Sequence, residues 1–196
     1  ERMDICSWGS PIPGIIFPFG TGTPDNPSDA PCLFPVLREQ EFEQSSNEIQ
    51  ITSDFDGPIN YVAGIYTMES EAPFESGPVQ VIESLQDLEA RAIYGEINWD
   101  ITDAWELTAG ARYTEEEKDF FVIAGAFPNG KDFNFEDDEV TYRLVLQRNF
   151  DFGMIYGSYS TGFKSGGFNS RGTTQNTVGP YASETVDSME IGFRSE

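Results

Sequence analysis

The sequence predicts an all-β fold, an antiparallel transmembrane β-barrel segment, from three observations. Side chains alternate between apolar and polar over long stretches, short turns alternate with long connections, and aromatic residues stand at two heights of the apolar side. In "AIYGEINWDI" the odd positions are Ile93, Gly95, Ile97, Trp99 and Ile101, and the even ones include Tyr94, Glu96, Asn98 and Asp100. A period of two with unlike faces marks a strand between two unlike media. "WELTAGARYTEEE" repeats it, with Trp105, Leu107, Ala109, Ala111 and Tyr113 against Glu106, Thr108, Arg112, Thr114 and Glu116. "NEIQITSDF", "EVTYRLVLQ" and "DSMEIGFRS" behave alike, whereas in "INYVAGIYTM" both faces are partly apolar and parity does not choose.

The connections come in two kinds. "FDGP" near Asp56, "DITDA" near Asp103 and "NFDFG" near Asp151 supply Asp, Asn and Gly where tight reversals need them. Between them lie the stretches 70–88, 125–137 and 169–183, polar and Gly-rich or acidic, read as long loops. This spacing would admit propeller blades, but a blade needs four short strands per period and each period here holds two long ones. "VIESLQDLEARA" places Val81, Ile82, Leu85 and Leu88 at helical spacing without a clear start or stop signal. A short helix and an irregular loop both remain open there.

Strands with one apolar face suit a soluble β-sandwich or a membrane barrel. The aromatic positions favour the barrel. Trp99 and Trp105 flank the "DITDA" turn on the apolar parity, and Tyr113 follows further along the same face. Eight residues at about 3.3 Å each on a strand tilted by about 40° climb about 20 Å, close to the apolar band of an outer-membrane barrel. These residues are the expected membrane girdle. In "MIYGSYSTGFKSGGFNSRG", Ile155, Gly157, Tyr159, Thr161 and the girdle residue Phe163 form the expected lipid side. Met154, Tyr156, Ser158, Ser160, Gly162 and Lys164 form the lumen side, and "KSGGFNSRG" leaves as a flexible loop.

Composition bounds the function. The formal charge is −23 with no His, so nucleic acid is excluded as a partner, since nothing here neutralises phosphates. Aromatic residues make up 14% of the chain, too many for a disordered acidic segment. No apolar run of about 18 residues exists to make a membrane helix. The chain starts at Glu1 and ends in strand-like sequence at Glu196, and it is read as a piece of a longer protein. Cys6 and Cys32 bracket a Pro- and Gly-rich stretch. They are read as a disulfide formed in an oxidising compartment, against the alternative of two free thiols.

The stretches "NEIQITSDFDGPINYVAGIY", "YGEINWDITDAWELTAGARYTEEEKDF", "YGSYSTGFKSGGFN" and "SETVDSMEIGFRSE" resemble the barrel of TonB-dependent outer-membrane receptors, in that family's order. The resemblance covers 45–196, and 1–44 reads as a variable extracellular loop region. It implies about seven strands of a 22-stranded barrel with short periplasmic turns and long extracellular loops, the plug domain and C-terminal strands lying outside the chain. It implies a location in the outer membrane of a Gram-negative bacterium. The implied function is uptake of a scarce solute, a ferric siderophore by default, energised by the TonB complex through the absent N-terminal region. The rival reading is a soluble secreted β-sandwich for adhesion or carbohydrate binding.

No cofactor, metal ligand set or catalytic constellation is expected, because paired carboxylates alone are too common here to mark an enzyme. Arg112, Arg143 and Lys164 are expected in the lumen, as weak substrate-binding candidates that pair first with carboxylates such as Glu106 and Glu116 or with plug residues. The acidic runs "TEEEKD" and "NFEDDE" cap strands at the outer rim, solvated or meeting divalent cations or a cationic substrate. "SDFDG" reads as a turn, lacking the ligand spacing of a calcium loop.

Overall fold

The computed structural model describes residues 36–78 and 81–195. Its strands are β1 (Val36–Gln40), β2 (Glu43–Thr52), β3 (Ile59–Pro78), β4 (Ile82–Thr102), β5 (Trp105–Ala124), β6 (Phe127–Phe150), β7 (Gly153–Lys164) and β8 (Glu184–Ser195), with a single helical turn α1 (Gln175–Val178) before β8. All pair antiparallel as a meander from β3 to β8, and β1 and β2 lie end to end along β3. Strand structure thus begins within the segment assigned to the loop region 1–44. Cys6 and Cys32 lie outside the described residues.

The long strands correct two readings. The stretch with helical spacing belongs to β4, where Ile82 to Thr102 pair with β3 on one side and with β5 on the other. An uncapped helix satisfies fewer backbone groups than two ready ladders do. The stretches 70–88 and 125–137 are likewise not irregular loops. β3 and β4 fill 70–78 and 82–88, and β6 starts at Phe127, so that only 125 and 126 separate it from the end of β5 at Ala124. Among the described residues, the β7–β8 connection is the one long excursion.

Register settles the parity that β3 left open. Tyr61 stands opposite Ile97 and Ile65 opposite Ile93, so its odd residues share the apolar face of β4. In the "SDFDGP" turn, Asn60 Oδ1 accepts hydrogen bonds from Ser53 Oγ (2.9 Å) and Phe55 N (2.8 Å), while Asn60 Nδ2 donates to Phe55 O (3.2 Å). At the β6–β7 turn Gly153 has φ +148, and a Cβ there would lie 2.1 Å from Arg194 O, so only glycine fits. The short turns are stitched together, since Asp100 N donates to Pro58 O and Asn149 N to Ala104 O, each at 2.8 Å.

Candidate functional site

Cross-strand partners share a face, so the registers draw the surface directly. One row runs Tyr61, Ile97, Ala109, Leu144, Tyr159, Met189, and the next runs Ile59, Trp99, Leu107, Leu146, Gly157, Ile191. A third joins Ile49, Ile65, Ile93, Tyr113 and Val140. These side chains stand open: Ile191 is 85% exposed, Met189 82% and Ile93 60%. Among the described residues no second layer covers them. Apolar area of this extent is foreign to a soluble surface. Trp99, Trp105, Tyr113 and Phe163 all fall on this face, Trp105 with the Arg148 guanidinium 5.3 Å from its ring and Phe163 opposite Thr185.

The opposite face of the same span is polar and low-lying. Arg112 stacks between the rings of Tyr66 (5.3 Å) and Tyr94 (5.7 Å), and its Nε donates to Thr114 Oγ1 at 3.1 Å. Tyr94 Oη donates to Glu48 Oε1 (2.6 Å) and accepts from Gln50 Nε2 (3.0 Å). Arg143 Nη1 meets Glu96 Oε2 at 2.8 Å. Glycines make these reaches possible. Gly110 lies between Glu96 and Arg143 in the register, and Gly64 lies between Tyr94 and Gln50. A Cβ on Gly110 would come within 3.1 Å of Glu96, and one on Gly64 within 2.5 Å of the Tyr94 hydroxyl. Gly192 is roofed by Tyr156 in the same way.

Beyond Tyr113 the faces exchange character. The parity that was polar now carries Phe120, Val122 and Ala124, joined by Ile82, Phe74, Phe168 and Val178 as one buried cluster. Phe133 and Phe135 of β6 pack against it, and Phe120 stacks on Phe168 at 5.2 Å. The parity that was apolar becomes acidic, with Glu69, Glu89, Glu117 and Glu136 side by side in register. The runs "TEEEKD" and "NFEDDE" are therefore adjacent strands, Glu115 facing Asp138 and Glu117 facing Glu136. Among the described residues no group of these carboxylates is arranged to hold a metal ion.

The sequence candidates separate. Arg112 and Arg143 lie on one face of neighbouring strands, Arg112 opposite Thr141 and Arg143 opposite Gly110. Arg143 has the carboxylate partner expected of it, whereas Arg112 has two tyrosine rings in place of Glu106 or Glu116. Glu116 bonds Lys118 instead, at 3.2 Å. Lys164 is exposed at the end of β7 opposite Glu184, four residues beyond the Ser160 that faces Arg143. Sequence reasoning missed Lys118, hidden in an acidic run and buried in the structure. "KSGGFNSRG" is a second correction: Ser165 to Phe168 are buried rather than flexible surface. The even-position series Phe120, Val122, Ala124 was the available signal for both.

No curated protein matches the chain. The crystal structure of the ferric yersiniabactin uptake receptor FyuA from Yersinia pestis is similar to it, with a TM-score of 0.74 at 22% identity, over 83% of this chain and 28% of that one. The chain thus spans just over a quarter of that receptor, and the likeness shows the fold. The family described as "TonB dependent receptor-like, beta-barrel" matches residues 19–195. With an open apolar face, a polar face behind it and that match over most of its length, the chain belongs to the TonB-dependent receptor family as a part of its β-barrel.

Proposed function

We propose that the chain is the wall of an outer-membrane receptor that takes up a scarce solute, with the TonB complex supplying energy through a region outside this chain. The observation that carries this reading is the unbroken apolar belt from Ile49 to Ile191 backed by a polar face. Lipid on one side and a wet lumen on the other is the pairing a β-barrel needs, because backbone groups in hydrocarbon must be satisfied between strands. Trp99 and Trp105 form the girdle at the short-turn, periplasmic end, and Tyr113 and Phe163 the girdle at the outer end. The extended hairpins then stand outside the cell. A transport role rather than catalysis fits a lumen of tyrosines, short polar side chains and paired charges.

A ferric siderophore is the first solute to test, since the similar solved structure is that of a ferric yersiniabactin uptake receptor. Arg112, Arg143 and Lys164 are candidates for contact with an anionic chelate. The test is uptake of radiolabelled iron, presented in turn on several chelators, by cells carrying the full-length gene with and without TonB. The reading expects accumulation for at least one chelate only when both are present. Recovery of the protein from the soluble fraction without detergent would overturn it.

A further inference from the structure

The β7–β8 connection, residues 165–183, is held inside the extension by a set of contacts that the transport reading does not use. Lys118, 9% exposed, directs its Nζ to Gly166 O at 2.6 Å, Ser165 Oγ at 2.7 Å and Glu116 Oε2 at 3.2 Å. Asp137 Oδ2 holds the other side of the neck, accepting from Ser183 Oγ and from Gly166 N. Gly167 and Tyr181 close the neck with reciprocal backbone hydrogen bonds of 3.1 and 2.8 Å. Past the neck, Phe168 and Val178 enter the cluster around Phe120, and Val178 is 0% exposed. Two glycines let the backbones close up. A Cβ on Gly166 would lie 2.3 Å from Tyr181 O, and one on Gly172 2.5 Å from Val178 N.

The buried Lys118 ammonium takes two of its three acceptors from the strap, and removing it leaves Glu116 facing Asp137 across the ladder without the cation that now sits on Glu116. Lifting the connection would also bare the Phe74, Phe120 and Phe133 surface to water. We propose that residues 165–183 form a permanent internal strap across this surface and do not swing as a lid, and that Lys118 is the positioning residue that latches its neck. This does not depend on which solute passes.

The experiment uses the full-length receptor in isolated outer membranes, with Cys6 and Cys32 replaced by Ser and a single reporter thiol labelled with PEG-maleimide. Val178→Cys reports the covered side of the strap, and Asn176→Cys, an exposed position of the same turn, is the reference. The expected result is labelling at 178 at least about a hundredfold slower than at 176, as for a site reached only by local opening. Lys118→Met is expected to raise the rate at 178 by about tenfold or more. Labelling at 176 and the heat-modifiable gel mobility of the folded barrel stay unchanged, which a general loss of folding would not allow. Equal rates at 176 and 178 with Lys118 present would show a free lid and overturn the proposal. An unchanged rate on Lys118→Met would remove Lys118 as the latch. Should that variant fail to fold, Ser165→Ala removes one of the three partners and is expected to raise the rate by about threefold, with no change again counting against the proposal.

Discussion

The lower and upper halves of β4 and β5 use one backbone and one register to build opposite surfaces. From Trp99 to Ile93 and from Trp105 to Tyr113 the odd residues are apolar or aromatic apart from Gly95 and none is buried, with Ile93, Ile97, Trp99 and Trp105 exposed, and the even ones carry the polar network. Above that level the even residues Ile82, Phe120 and Val122 are almost wholly buried and the odd residues Glu89, Glu117 and Asp119 are exposed. A sheet does not have an intrinsic inside. Lipid takes the apolar side of the lower half, and because water surrounds the upper half, its apolar side turns inward and needs the strap to cover it.

The contrast can be broken at either end, and the largest effect is expected in the upper half. Phe120→Ala removes the centre of the aromatic cluster and should cost about 3–5 kcal/mol of local stability. Hydrogen exchange should show lost protection across 165–183, with the amides of 93–112 unchanged. In the lower half, Ile97→Arg places a charge on the lipid side and should cost about 2–4 kcal/mol if it lies at mid-bilayer. A urea titration of folding into lipid vesicles measures this. Glu117→Arg, on the same side of the sheet but above the belt, should change stability by less than about 0.5 kcal/mol in that titration, and a cost equal to that of Ile97→Arg would erase the distinction between the halves. Gly110→Val should sever the reach of Glu96 to Arg143. Since that pair is partly exposed, a double-mutant cycle on Glu96→Gln and Arg143→Gln should return only about 0.2–1 kcal/mol. Intact-mass analysis with and without reductant is expected to show a two-hydrogen difference if Cys6 and Cys32 are joined.

Much of the lower half was legible in the sequence because two solvents write their difference into every second residue. Ile93, Ile97, Trp99, Leu107, Leu144 and Ile191 needed only parity to be placed on one face. β3 was not legible alone, since Val62 and Tyr66 are apolar or aromatic on the polar side, and only its register with β4 resolves it. The start of β4 misled for a related reason: Ile82, Leu85 and Leu88 fall on both faces of the upper half, which chance renders as helical spacing. The strap was the least legible part. Its partners come from far away in the chain, Lys118 reaching Ser165 across 47 positions, and such contacts leave no local period. The pairing of Arg143 with an acidic residue was foreseeable from charge alone. The stacking of Arg112 on Tyr66 and Tyr94 was not, because it depends on three strands aligning.

The glycines of the polar face set how far that face stands out from the sheet. Tyr94, Glu96 and Tyr156 lie down over Gly64, Gly110 and Gly192 instead of standing upright, so the largest side chains of the wall contribute little to its thickness. The wall is therefore thinner on this side than a count of its bulky residues would suggest, and a larger side chain at any of these three positions would push its neighbour upright and thicken it.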